Sequence, residues 1–331
     1  MQHNPIQSEV NFDQDGKQVG FLRLPHSVHR SAYGWIPIPV ASIKNGQGPT
    51  VLIMAGNHGD EYEGQVLVAE LIRQLEPEQV QGQIILLPLA NTPAAQAGLR
   101  TSPIDGGNLN RSFPGRPDGS PTEIMAHYIE HQLLARCDYL LDLHSGGSSL
   151  IYHGANMLVL EPRNAGEEQQ VMALVRAFGL EYAFFMHPNP VTSSSAARRQ
   201  GAISLVAELS GGGRISPHAL AQARQGVLHF LGAQSLLHGP LVPQHPPAQP
   251  RIMRVNAPHH YLYARQSGIF EPLVTLGKEV QAGQLAARIH QPDQPWLAPA
   301  ELYFEGPGLV ICQRAMAPVQ AGDCLFQLAQ D

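Results

Sequence analysis

The first part of the chain alternates short apolar runs with amphipathic stretches. Thr50–Ala55 is an apolar run that stops at Gly56, the pattern of a buried strand. Asp60–Leu75 follows with Val68, Leu71, Ile72 and Leu75 on one helical face, which predicts a helix packed on that strand. Gln83–Leu89 predicts a second strand. Thr122–Leu134 predicts a helix with Pro121 near its start, where a fixed φ is tolerated. Tyr139–Leu143 and Ala202–Ala207 predict two more strands. Ser216–Leu231 predicts a helix with Ser216 as its N-cap and Pro217 at its first position. Strands alternating with helices imply an α/β domain, a sheet covered by helices on both faces. In such sheets functional groups collect at the carboxyl ends of strands.

The pattern changes after residue 238. Gly239–Pro250 holds five prolines in twelve residues, which neither a helix nor a central strand accepts, so 239–250 reads as a linker. It separates residues 1–238 from residues 251–331. The second part has short apolar stretches broken by Gly and Pro and no sustained helical period, which predicts a small all-β domain. Val280–Leu285 and Val319–Leu325 resemble each other, as in a pseudo-repeat.

Composition narrows the function classes. The chain has 331 residues, 43% hydrophobic and 15% charged, enough apolar material for two cores. Lys plus Arg number 21 and Asp plus Glu 27, a net charge of −6 with no long basic run, which argues against binding nucleic acid. No window offers the roughly 18 apolar residues of a membrane span. Met1–Pro5 has no basic segment leading into an apolar one, so no secretory signal is expected and a cytoplasmic location is the default. Cys137, Cys312 and Cys324 are odd in number and widely spaced, which disfavours a disulfide framework or a Cys-x-x-Cys metal site.

Four segments carry candidate chemistry. Gly56-Asn-His-Gly-Asp-Glu-Tyr-Glu-Gly64 places His58 and Glu61 where a predicted strand becomes a helix, and this spacing lets both groups point at one cation. A tight turn before an acid-rich helix start has the same look. His127 and Glu130 repeat the spacing in the middle of a predicted helix, where they read as a solvated face. Asp142-Leu-His-Ser-Gly-Gly147 puts His144 at another strand end, with Asp142 able to orient it. Asp105–Gly115 is a long polar loop in which Arg111 can grip a carboxylate with two parallel hydrogen bonds and Asn110 adds a donor and an acceptor. Ala207-Glu-Leu-Ser-Gly-Gly-Gly213 places Glu208 at a further strand end, where it can act as a general base. Two His and one Glu at strand ends match the His₂Glu set of catalytic zinc sites with an open fourth position.

These four segments, in this order, resemble the succinylglutamate desuccinylase/aspartoacylase family of zinc-dependent amidohydrolases, relatives of the zinc carboxypeptidases. The resemblance covers about residues 18–331, with its specific motifs between 56 and 213. Gly20–His26, Gly56–Gly64 and Arg100–Arg111 are most similar to the members that deacetylate N-α-acetyl-L-2,4-diaminobutyrate in ectoine degradation. The resemblance implies a mixed central sheet of zinc carboxypeptidase type and a C-terminal barrel-sandwich domain that narrows the mouth of the site. It implies one Zn²⁺ per chain on His58, Glu61 and His144, with Glu208 as general base and later proton donor. It implies that Asn110 and Arg111 bind the substrate carboxylate and that Arg100 polarises the scissile carbonyl, here across a spacing lengthened by residues 103–107. An arginine before the general base often binds substrate, and Arg198 is favoured for this over Arg199. The second domain's pattern also resembles biotinyl and lipoyl carriers, but its one lysine, Lys278, has no Met beside it. The partner implied is a small N-acyl amino acid, with neither nucleic acid nor membrane; family members often form homo-oligomers. The competing readings are another N-acyl amino acid as substrate (N-acetylaspartate or N-succinylglutamate), a zinc carboxypeptidase, a zinc-binding sensor without turnover, and a non-catalytic binding module.

Overall fold

The structure is a computed structural model that describes residues 4–245 and 247–331. Met1–His3, part of the stretch read for a targeting signal, and Pro246, inside the linker, lie outside the described residues.

A ten-stranded mixed sheet forms the first layer. At its centre, Thr50–Ala55, Tyr139–His144 and Ile203–Glu208 run parallel as neighbours. Gly82–Leu87 continues this parallel group on one side. An antiparallel hairpin of Gly16–Pro25 and Trp35–Asn45 extends that flank, with the short strand Gln7–Ser8 at its edge. On the other side Asn156–Leu160 turns antiparallel to Ile203–Glu208. Tyr182–Met186 and Arg251–Val255 then complete the sheet.

Thr50–Ala55 shows why the apolar run reads as it does. Val51, Ile53 and Ala55 face one core, with the helices Tyr62–Gln74, Ala165–Phe178 and Pro217–Ala233. Leu52 and Met54 face the other, with Phe113, Met125 and Leu133. A strand covered on both faces has no polar side, so alternation disappears from its sequence. Each of the larger side chains, Val51, Leu52, Ile53 and Met54, contributes about 1.5–3 kcal/mol when fully buried.

Two expected helices differ in detail. The helix expected at Asp60–Leu75 begins at Tyr62, with Glu61 as an extended N-cap residue, because its carboxylate is held by two histidines. The helix expected over 122–134 is regular only for Pro121–Tyr128; one wide turn, Ile129–Leu133, and one tight turn, Leu134–Arg136, follow. On the wide turn Glu130 is buried, and Arg199 binds both its oxygens at 2.8 and 2.7 Å. The His127–Glu130 pair is therefore not a solvated face. Ser216 caps the last long helix as expected, accepting from the Ala219 amide.

Residues 256–331 build two antiparallel sheets around Phe270, Phe304 and Phe326. Arg251–Val255, the first strand after the linker, still belongs to the large sheet. Leu150–Tyr152, from the first part, pairs with Gly308–Arg314 in the five-stranded one of the two antiparallel sheets. Each unit thus lends a strand to the other. No helix among the described residues is long and apolar enough to cross a membrane.

Candidate active site

The three central parallel strands end together, and their ends carry the candidate chemistry. Ala55 leads into the turn that holds His58. His144 is the last residue of Tyr139–His144, and Glu208 is the last of Ile203–Glu208, directly beside it in register. Two glycines make the turn possible. Gly56 has φ +67°, and a Cβ on Gly59 would lie 2.0 Å from the backbone of Ala94. Glu61 sits between the imidazoles, with Oε1 2.7 Å from His58 Nδ1 and Oε2 2.7 Å from His144 Nδ1. All three residues are buried.

Each histidine is held from behind. Asp142 Oδ2 stands 3.0 Å from His144 Nε2 and accepts from Ser193 Oγ at 2.6 Å and Asn57 Nδ2 at 3.2 Å. Asn108 Oδ1 stands 3.2 Å from His58 Nε2. Partners of this kind fix ring orientation and leave the opposite nitrogen to face a ligand. Asp142 was legible from its place two residues before His144. Asn108 lies inside the polar loop but carried no separate signal, and Ser193 and Asn57 carried none.

The electrostatics favour a cation. Burial opposes charge on His144, yet Asp142 and then Glu61 hold its pKa well above the ordinary value. Burial opposes charge on Glu61 too, yet His58 and His144 hold it well below the usual carboxylate range. Burial, reinforced by the charge of Glu61, pushes Glu208 well above that range. Its Oε2 is buried with no hydrogen-bond partner among the described residues. The donor atoms of His58, Glu61 and His144 lie within 4.8 Å of one another. Two imidazole nitrogens and a carboxylate oxygen are the donor types of a catalytic zinc site. The residues present therefore fit a metal ion.

A cavity of about 380 Å³ opens over this cluster. Arg100, Asn110 and Arg111 line it, with Tyr152 and Met186 from the first part and Tyr261, Tyr263, Cys312, Cys324 and Gln327 from the second. The second group was not foreseen, because the β domain's sequence gives no sign of which edge faces the cavity. Cys137, Cys312 and Cys324 are all unpaired. Residues 103–107 do not separate Arg100 from Arg111. The loop closes on itself through Ser102 N to Gly107 O at 2.9 Å and Gly106 N to Ser102 O at 2.8 Å. Arg100 Nη1 lies 3.3 Å from His58 Nδ1 and 3.5 Å from Glu61 Oε1. Burial and the charge of Arg100 lower the pKa of Arg111, whose guanidinium, among the described residues, donates only to the Asn110 carbonyl at 2.7 Å. Asn110 Oδ1 accepts from the Ser193 amide at 2.9 Å, which fixes the amide group and turns Nδ2 toward His144 at 3.4 Å.

Arg198 is not brought to the cavity. Its guanidinium donates to the Glu161 carbonyl at 2.9 Å and faces Glu167 at 3.4 Å. Arg199 is held by Glu130. Both arginines lie in the last turn of the short helix Ser193–Arg199, and neither lines the site. Arg199→Ala is expected to leave KM unchanged and to cost about 1–3 kcal/mol of stability by stranding the buried Glu130 carboxylate; thermal unfolding and steady-state kinetics check both parts.

Comparison with known proteins agrees with this geometry. Residues 47–233 match the succinylglutamate desuccinylase/aspartoacylase catalytic domain. The N-α-acetyl-L-2,4-diaminobutyric acid deacetylase of Halomonas elongata is 41% identical over 99% of this chain and 95% of that protein. The product-bound ectoine utilization protein EutE (DoeB) of Ruegeria pomeroyi superposes with a TM-score of 0.94 at 36% identity, covering 100% of both chains. A succinylglutamate desuccinylase/aspartoacylase of Rhodobacter sphaeroides gives 0.92 at 34% identity, over 99% of both. A His-Glu-His cluster at two strand ends with Glu208 at a third, a domain match over more than half the chain and full-length relatives agree: this chain belongs to the succinylglutamate desuccinylase/aspartoacylase family.

Proposed function

We propose that this chain is a zinc-dependent deacetylase of ectoine degradation that hydrolyses N-α-acetyl-L-2,4-diaminobutyrate to acetate and 2,4-diaminobutyrate. The observation that carries this is the 41% identity to the Halomonas elongata deacetylase across nearly the whole of both chains. His58, Glu61 and His144 are the residues that would hold zinc. Zinc held there would supply Lewis acidity and would bring the pKa of a bound water toward about 7.

The protein's own groups do the rest. Glu208 takes a proton from the attacking water as the new C–O bond forms. It returns that proton to the α-nitrogen as the C–N bond breaks, so acetate and a free amine leave. Arg100, beside His58, donates to the acyl oxygen as negative charge develops there; one such donor is commonly worth about 10²–10³ in rate. Arg111 and the Nδ2 of Asn110 hold the α-carboxylate and so align the amide bond. Residues 1–238 act as the catalytic unit. Residues 251–331, joined by 239–250, lend Arg251–Val255 to the large sheet and otherwise form a barrel-sandwich cap, with Tyr261, Tyr263 and Gln327 at the mouth. Three free thiols suit a reducing, cytoplasmic setting.

The charge inventory separates substrates. Arg100 and Arg111 are the arginines that line the cavity, and both have tasks. N-acetylaspartate and N-succinylglutamate each bring a further carboxylate, for which Arg198 and Arg199 are not on hand. N-α-acetyl-2,4-diaminobutyrate brings one carboxylate and a terminal ammonium. We expect its kcat/KM to exceed that of N-acetylaspartate by about 10²-fold or more, the penalty for leaving a charged group unpaired in a built site. Equal efficiency on the two in parallel assays would remove the assignment.

A further inference from the structure

Asn156 opens the strand Asn156–Leu160 and stands directly across from Glu208 in the antiparallel ladder. Directly opposed residues project from one face with Cβ atoms about 4.5–5.5 Å apart. The face is identified independently, because the next outward pair, Val206 and Leu158, lines the cavity. Asn156 is fully buried. Neither its Nδ2 nor its Oδ1 finds a hydrogen-bond partner among the described residues, and the buried Oε2 of Glu208 finds none either. An unbonded carboxamide in a core costs stability that an apolar side chain of the same shape would not. The packing around it therefore gives no structural reason for an asparagine, while its neighbour in register is the proton-transfer group.

We infer that Asn156 is a positioning residue for Glu208, its Nδ2–H serving the buried carboxylate oxygen through one bridging water. The inference rests on the reading of Glu208 as general base. Three orphaned polar atoms on adjacent positions of one face supply the two to four partners that a buried water needs. The bridge locks one carboxylate oxygen inward and so aims the other at the cavity.

Asn156→Leu, Asn156→Ser and Glu208→Gln test this together on the zinc-loaded protein, with kcat, KM, zinc content and Tm measured for each. Asn156→Leu is expected to lower kcat about 10–100-fold, the cost of a small misplacement, with KM and zinc content unchanged and Tm no lower. Asn156→Ser, which keeps a hydroxyl for the water, is expected to recover much of the lost kcat. A Leu variant with normal kcat, or one that fails to fold or loses zinc, overturns the inference, since only a structural asparagine predicts a fall in stability. If Glu208→Gln stays active, the base reading fails. If Glu208→Gln is inactive and Asn156→Leu is normal, this inference alone falls.

Discussion

Glu208→Gln is expected to bind zinc with the stoichiometry of the parent protein and to turn over about 10⁴-fold more slowly, the upper end of what one acid–base group contributes. The amide keeps the shape of the carboxylate but can neither accept the proton of the attacking water nor deliver one to the leaving nitrogen. Two features make Glu208 the group to test. It ends the strand beside His144, and burial together with Glu61 raises its pKa well above the ordinary carboxylate range. A base of raised affinity for protons suits a group that must take one and then give it back. Zinc analysis and kinetics on one preparation check the prediction. Turnover within tenfold of the parent protein would move the proton chemistry elsewhere.

The second large effect is on the metal itself. His144→Ala removes one of three donors and leaves Glu61 facing the gap. Zinc affinity is expected to fall by more than about 100-fold, beyond the 10–100-fold that follows from disturbing only an outer partner. Asp142→Asn is that milder disturbance. It keeps His144 but weakens the contact at Nε2, where the carboxylate now stands 3.0 Å away. Competition with a chelator ranks the parent protein, Asp142→Asn and His144→Ala in that order. A His144→Ala protein that holds zinc as tightly as the parent would remove His144 from the ligand set.

Much of the site was legible because its residues lie at the ends of apolar runs. Ala55, Leu143 and Ala207 close three mainly hydrophobic stretches, broken only by Asp142 and Ser204, and a parallel sheet brings such ends to one edge. His58, Glu61, His144 and Glu208 follow within a few positions of those ends, so one-dimensional spacing carries their three-dimensional meeting. Asn110 and Arg111 sit on a polar loop whose length marks it. Arg198 failed for the complementary reason. Distance along the chain says that an arginine is near Glu208 but not which way a seven-residue helix turns it, and Glu161 and Glu167 supply partners that no local pattern announces.

The fold shows the same division. Strands buried on both faces were readable, whereas the hairpin Gly16–Pro25 and Trp35–Asn45 was not picked out, because its mixed exposure breaks the apolar run. The change of composition after residue 238 is real, but Arg251–Val255 returns to the large sheet and Leu150–Tyr152 joins the five-stranded one. Sheet membership depends on hydrogen bonds between distant segments, which hydrophobic pattern does not encode.

The account's central claim is tested most directly by following acetate release from N-α-acetyl-L-2,4-diaminobutyrate by the zinc-loaded protein, with a chelated sample alongside. The prediction is rapid release that stops on chelation and returns when zinc is restored. No release, or release that survives removal of the metal, would contradict it.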